Sequence, residues 1–572
     1  MSKTGNNNGY SPKPPTSFNL AVHRTIINSP LYQAINEWKQ GLKDYPDRKA
    51  AQEIISGIRC GFRIRATSEL LPTLDTQLNN LPSARDDPAV ITRRIDEELA
   101  QGRLLEINDE WAPFVHTSPL GSVPKRPTGS RLIHHLSAPW GSSVNDTISA
   151  ADAHVTYGSV DNAAKHLVQI GKGAFMFKID FKDAFRHVHV HPHDAVLLGM
   201  RWQGKTYVDL CLPFGLRSSP AIFVQLATAA VWIAKRAVRT YDPGLADSLH
   251  IECFLDDHLG ITLDETDGNV AMATILDAFT ELGLTVNLPK CHDPAQVVPF
   301  LGIELDALKQ EARLPRDKQN EMLATVNNFL TRAQASKRDL LSLAGTLFHA
   351  TKVVPPGRAF VGSILRAAHG LKNLHDVADI TSTYEDLRWW FIFLNHWNGK
   401  VLLTFGPATA HFELGIQLSA VRSDASSKLG YGILYDNEWC AGSWPHSLDP
   451  EAIHVKEATP LVIAASIWGR QWSSLHINFE TDNAAVAHAV NNGLPHNRQL
   501  RSLVRLLWLQ ALKHNFHHQP FLGNQLTLGP KPSTQTPFDF EHSIFPRQIS
   551  QDKTRLLPGE RFIGNDELWC TI

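Results

Sequence analysis

The chain has no surplus of charge of either sign: 55 Lys and Arg stand against 57 Asp and Glu, a formal net charge of −2. No global positive field draws it to nucleic acid, and any such binding must use local patches. Cysteine is scarce. The six (Cys60, Cys211, Cys253, Cys291, Cys440 and Cys570) are scattered, and none forms a C-x-x-C pair. That spacing argues against a zinc knuckle or a disulfide framework and fits a reducing, intracellular setting. Long apolar runs are missing as well. The longest, 221–234, is interrupted by Gln225 and Thr228 and is too short to span a bilayer, so no membrane partner is expected. No signal peptide is visible, and residues 1–17, rich in Asn, Gly, Pro and Ser, read as a disordered tail.

What is present describes an ordinary globular protein. With 572 residues, 43% of them hydrophobic, the chain is long enough for three or four domains, each with its own core. Residues 31–62 read as a small helical hairpin, with 44–47 as its turn. Residues 86–107 read as one helix, with Val90, Ile91, Ile95, Leu99 and Leu104 on its apolar side. Among 27 histidines, His187, His189, His191 and His193 are spaced two apart, which predicts one strand face, solvated rather than metal-binding.

Four stretches carry chemistry. Asp256 and Asp257 lie between apolar runs in Phe254-Leu-Asp-Asp-His258, which predicts two strands meeting at a tight turn with acids at its tip. Adjacent carboxylates repel, and a hard divalent cation resolves this well. Upstream, Phe175-Met-Phe-Lys-Ile-Asp180 is an apolar strand ending in an acid, with Asp183-Ala184-Phe185 just beyond. A buried, unpaired Asp180 is expensive, and a metal shared with Asp256 would compensate it. Leu212-Pro-Phe214-Gly215-Leu-Arg-Ser-Ser-Pro220 predicts a turn and then a helix to Ala234, with Ser219 as cap and Pro220 at the first helical position. Two short strands around 127–130 would bring Lys125 and Arg131 together, a pair suited to a triphosphate.

In this order the motifs resemble a reverse transcriptase. Phe-Leu-Asp-Asp, the strand ending at Asp180 and Leu-Pro-Phe-Gly look like its palm. Residues 283–290 are similar to the motif that closes the palm, and Phe300-Leu-Gly-Ile-Glu304 is similar to the primer grip. In wording, the palm most resembles DIRS-type retrotransposons, then gypsy-like elements. The resemblance implies catalytic Asp180, Asp256 and Asp257. It implies two magnesium (or manganese) ions, about 3.5–4 Å apart, on Asp180 and Asp256. It also implies nucleotide contacts from Lys125, Arg131, Asp183, Ala184, Phe185, Phe214 and Gly215. A bulky Phe185 would clash with a ribose 2′ hydroxyl, so DNA synthesis is expected over RNA synthesis. The implied partners are an RNA template, a DNA primer, an RNA–DNA hybrid and deoxynucleoside triphosphates.

A second acidic set follows. Residues 416–435 alternate as strands around Asp424, Glu457 begins a helix with Pro460 in its first turn, and Asn478-Phe-Glu-Thr-Asp482 ends another strand in an acid. This stretch resembles a ribonuclease H domain, which implies metal ligation by Asp424, Glu457 and Asp482. The family's late fourth acid has no clear counterpart. A strand is expected within 514–520, Asp539 is the nearest later aspartate in poor context, and 523–572 departs from the family, as a truncated or re-spliced copy would.

The expected fold class is an α+β palm/fingers/thumb polymerase, a right-hand reverse transcriptase, followed by an α/β ribonuclease H-like domain. The expected divisions are 1–84, a tail and small helical region; 85–305, fingers and palm; 306–415, a helical thumb and connection; 416–522, the ribonuclease H-like part; and 523–572, an atypical tail. In the connection, Trp389, Trp390 and Trp397 are expected in the core rather than stacked on bases. No protease, integrase or recombinase pattern is present, and the sequence carries no sign of oligomeric state. The alternative function is an inactive or co-opted copy that binds nucleic acid without catalysis.

Overall fold

The structure is a computed structural model; it describes residues 14–67, 78–124, 130–396, 400–401, 419–448, 450–473, 475–493, 495, 497–514 and 516–522. The chain forms two compact units, Met1–Pro315 and Arg316–Ile572.

The first unit begins with helices Thr16–Ile27, Ile35–Gly41 and Arg48–Cys60. Asp47 starts the last of these by accepting from the Ala50 N–H at 2.9 Å. Trp38 is fully buried and donates its indole N–H to the Leu282 carbonyl at 2.9 Å, fixing this layer to the core. The expected helix over 86–107 stops early. It spans Pro88–Ala100, and Leu104 opens a strand, Leu104–Ile107, paired antiparallel with Lys205–Asp209. Gly102, at φ +66, makes the break that helical periodicity alone did not register.

The central sheet is antiparallel, in the order His250–Phe254, Asp257–Thr262, Phe175–Asp180, His292–Ala295. Along Phe175–Asp180, Phe177 and Ile179 join a core with Ile222, Phe223, Ile275 and Phe279 from two helices. Strand alternation turns Lys178 and Asp180 to the other face. Gly260 stands opposite Phe177, where a Cβ would meet the phenyl ring at 2.1 Å.

Helix Ser219–Tyr241 is longer than the apolar run suggested. Its length and composition alone would let it cross a bilayer, but 56% of its most apolar window is buried inside the fold, as in a core helix. Ser219 is not its cap. Its hydroxyl donates to the Pro213 carbonyl at 3.0 Å, while the Ser218 hydroxyl donates to Ile64 at 2.6 Å. The four histidines do not share a strand face. His187 ends a 3-10 turn, His191 precedes a short helix, and burial pushes His189 down to about 4. The unit closes with the hairpin Val297–Phe300/Ile303–Asp306 and strand Glu311–Arg313, whose Arg313 binds Glu304 at 2.6 Å and Asp306 at 3.0 Å.

The second unit opens with helices Arg316–Leu330, Lys337–Ala350, Gly362–His369 and Tyr384–His396. Trp390 is fully buried in the core and bonded to the Phe360 carbonyl at 3.2 Å, whereas Trp389 is half-buried, packing on Phe360 and Phe393 at the edge of that core. Trp397 lies outside the described residues. A five-stranded sheet follows, in the order Glu438–Ser443, Gly430–Tyr435, Ser419–Ala425, His476–Thr481, His517–Leu522. The first three strands are antiparallel, and the last two run parallel to Ser419–Ala425. Helices Ile453–Trp468 and Arg498–His514 pack together beside it. Pro460 falls inside the first of these helices rather than in its first turn, and so removes one interior hydrogen bond.

Candidate active site

The strand Phe175–Asp180 and the hairpin His250–Thr262 build the first site. Phe254 pairs with Asp257, leaving Leu255 and Asp256 as a two-residue loop. Leu255 sits at φ +53, the left-handed conformation that such loops need and that a leucine resists. Asp256 is therefore the tip, and its carbonyl accepts from the Phe181 N–H at 3.0 Å. Asp257 instead opens the return strand, directly across from Asp180. Opposed residues in an antiparallel pair share a face, with Cβ atoms about 4.5–5.5 Å apart.

This patch is short of solvent and rich in negative charge. Asp180 is 3% exposed. It accepts from the Asn287 side chain at 2.9 Å and lies 3.4 Å from Lys290 Nζ. Lys178 Nζ reaches Asp257 at 2.9 Å. Burial, followed by the charges of Asp257 and Asp180, pushes the Asp256 carboxyl above the usual aspartate range. Among the described residues, no group of three or more His, Cys, Asp or Glu forms a ready-made metal cage.

Beside the carboxylates, Asp183 adopts a left-handed conformation, φ +53, and accepts from Arg103 at 3.2 Å. Ala184 is buried. The half-buried Phe185 meets Phe214, ring centroids 5.3 Å apart, and Phe223 at 5.7 Å. Gly215, at φ +107, lies so close to the His134 carbonyl oxygen that a Cβ would stand 2.3 Å from it. Its own carbonyl accepts from Asn145 at 2.8 Å. The strands Leu120–Pro124 and Ser130–His134 pair as expected around 125–129. Lys125 lies outside the described residues, and Arg131 is described only by its backbone, on the second strand.

A second acidic group lies in the second unit. Asp424 sits near the end of Ser419–Ala425, and Asp482 directly follows the parallel neighbour His476–Thr481. Both leave the sheet at the same end. Glu457, 6% exposed, projects from helix Ile453–Trp468. Burial, then Asp482 and Asp424, push its carboxyl up to about 8. The three acids are thus close enough to act on one another.

Residues 123–305 match the family model described as "Reverse transcriptase (RNA-dependent DNA polymerase)". The Retrovirus-related Pol polyprotein from transposon opus of Drosophila melanogaster is 24% identical over 235 residues, 40% of this chain and 20% of the relative. The Pro-Pol polyprotein of Feline foamy virus is 24% identical over 291 residues, 51% of this chain and 22% of the relative. Residues 123–305 form a reverse transcriptase domain. The chain spans about a fifth of the length of these relatives. Among solved structures, the foamy viral protease-reverse transcriptase dRH in complex with double-stranded DNA is 15% identical, with a TM-score of 0.46, covering 85% of this chain and 81% of that one. The foamy viral protease-reverse transcriptase in complex with an RNA/DNA hybrid is 15% identical, with a TM-score of 0.45, covering 91% of this chain and 65% of that one.

Within the reverse transcriptase domain, Asp180, Asp256 and Asp257 come together, as do Phe185, Phe214 and Gly215 nearby. Lys178, Asn287, Lys290 and Arg103 were not singled out from sequence. Lys178 had a usable signal, since it lies two residues before Asp180 and so shares its strand face. Asn287 and Lys290 are brought in by the 3-10 turn Leu288–Lys290 and by the Asn287 N–H bond to the Asp180 carbonyl at 2.7 Å.

Proposed function

We propose that the chain is an RNA-directed DNA polymerase. It would extend a DNA primer on an RNA template with deoxynucleoside triphosphates, using two magnesium (or manganese) ions. The carrying observation is the placement of Asp180 across from Asp257, with Asp256 at the adjoining turn, inside the stretch that matches the reverse transcriptase family. The donor set fits such ions. It is all oxygen, it is crowded enough to raise the Asp256 carboxyl, and two lysines answer only part of its charge. Magnesium at polymerase sites keeps waters and substrate phosphates as ligands, so a closed protein cage is not required. Asp180 and Asp256 would hold the ions and Asp257 would support them. When bound, they would supply Lewis-acid activation of the primer hydroxyl and charge neutralisation at the leaving pyrophosphate.

The chain's own residues do the positioning. Phe185 against Phe214 walls the sugar pocket, Gly215 allows close backbone approach, and Asp183 and Ala184 form the turn beneath the triphosphate. Lys125, outside the described residues, and Arg131 would hold that triphosphate. Residues 416–522 would form a linked ribonuclease H-like domain, lacking a clear fourth acid, with metal ligands Asp424, Glu457 and Asp482, cutting the RNA of an RNA–DNA hybrid. Its support is the mixed five-stranded sheet and the coupling of the three acids. The wording of the motifs favours a DIRS-type element, then a gypsy-like one, acting inside the cell.

Primer extension on an RNA template with magnesium tests the polymerase. Extension with deoxynucleotides, lost in Asp256→Asn, is expected; no extension by the unaltered chain refutes the reading. Cleavage of a labelled hybrid, lost in Asp482→Asn, tests the second site, and no cleavage by the unaltered chain removes it.

A further inference from the structure

Arg186 is a charged side chain that the site described above does not use, although it directly follows Phe185. It is 8% exposed. Its guanidinium is almost fully engaged. Nη1 donates to Asp209 at 2.7 Å and to the carbonyls of Cys211 at 3.4 Å and Leu212 at 3.3 Å. Nε and Nη2 donate to Glu98 at 3.0 and 2.7 Å. Asp209 is itself 5% exposed. Glu98 also lies 3.8 Å from Arg103, which binds Asp183 at 3.2 Å.

The network ties Arg186 to two stretches distant from it in sequence, helix Pro88–Ala100 and the run from Asp209 to Leu212. Glu98 comes from helix Pro88–Ala100, Asp209 ends strand Lys205–Asp209, and the two carbonyls belong to the stretch leading into Pro213, Phe214 and Gly215. One planar fork thus grips both sides of the aromatic pair. It is the chain neighbour of Phe185, and it holds the backbone two residues before Phe214. A lysine, a point charge with no fork, could not make these contacts together. Burial of so much charge is not a general route to stability, because replacing a buried ion pair by apolar groups is often neutral. A specific geometry is the better reason for it.

We propose that Arg186 is a positioning residue that sets the spacing between Phe185 and Phe214, and through it the exclusion of ribonucleotides. This rests on the polymerase reading above. The test is steady-state extension by the full chain with one deoxynucleotide and the matching ribonucleotide. It compares the unaltered chain, the double variant Arg186→Met with Asp209→Leu, and Glu98→Gln. The double variant removes the cation with its buried counter-charge. Glu98→Gln preserves shape at a residue whose side chain is 25% exposed, so it keeps the fold if the double variant does not.

The ratio of kcat/KM for deoxynucleotide over ribonucleotide should fall about tenfold in the double variant, as expected for a displacement of well under 1 Å. It should fall in the same direction, by less, in Glu98→Gln. A ratio unchanged in the folded variants, while the unaltered chain discriminates, overturns the role of Arg186 and leaves the polymerase reading standing. An unaltered chain that does not extend a primer overturns that reading, and this role with it.

Discussion

His518 makes the second unit sensitive to acid. It lies on strand His517–Leu522, beside the strand that delivers Asp482. The residue is 4% exposed, and neither ring nitrogen has a hydrogen-bond partner among the described residues. The ring packs on Trp508 at 4.3 Å and on Phe479 at 6.0 Å. Burial pushes its pKa down from 6.5 to about 3. The unfolded chain therefore takes up the proton first. Stability is fully present above the unfolded value near 6.5 and is lost as pH falls from there toward 3. At about 1.36 kcal/mol per unit, moving to pH 5 removes about 2 kcal/mol through this one group. For a unit of this size that is about 4–8 °C in Tm. Thermal unfolding of the full chain, followed by tryptophan fluorescence at pH 7.5 and pH 5, reads it. His518→Leu should unfold with a pH dependence smaller by that amount. Equal losses in the variant and the unaltered chain would refute the reasoning, since the ring would then not be the group that titrates.

Gly215→Ala would force a Cβ to within 2.3 Å of the His134 carbonyl at φ +107. Strain of about 1–3 kcal/mol is expected, read as a lower Tm together with a raised KM for nucleotide in extension assays. Leu255→Val puts a β-branched side chain at φ +53, where leucine is already strained. It should misplace Asp256 and slow extension at least tenfold, an effect of about 1.4 kcal/mol, and single-turnover kinetics would detect it. Lys178→Met removes the 2.9 Å partner of Asp257. The site becomes more negative, so the magnesium concentration for half-maximal extension should fall, by about tenfold for each 1.4 kcal/mol of added attraction; a magnesium titration checks the sign.

Much of the first site was legible because it is local. A strand of period two ending in Asp180, and a two-residue hairpin loop between apolar strands, both announce themselves within a dozen residues. The finer division between Asp256 and Asp257 was set by register, since a one-residue change in pairing would exchange turn and strand. Lys290, Asn287 and Arg103 reach the acids through tertiary contacts, and no spacing in the sequence encodes those. The break after Ala100 was missed because Leu104 continues the helical spacing by coincidence, although Gly102 was the available signal. The histidine run was misread for a related reason. Spacing by two implies a strand face only where the backbone is extended, and His187 closes a 3-10 turn while His191 leads into a helix.

The two acidic groups answer the same electrostatic problem in different ways. In the reverse transcriptase domain, lysines on the sheet face and on the 3-10 turn stand against Asp257 and Asp180, and the carboxyl pushed upward is the half-buried one at the turn. In the second unit, Glu457 is buried on a helix facing two strand-end acids, and its carboxyl rises to about 8. A raised carboxyl is held toward its protonated form, and a bound cation favours its ionisation. The first site is therefore partly balanced by the chain itself, whereas burial and like charge dominate at Glu457. Divalent-ion binding should for that reason release more protons at the second site than at the first, because a ligand that begins protonated must lose its proton to coordinate.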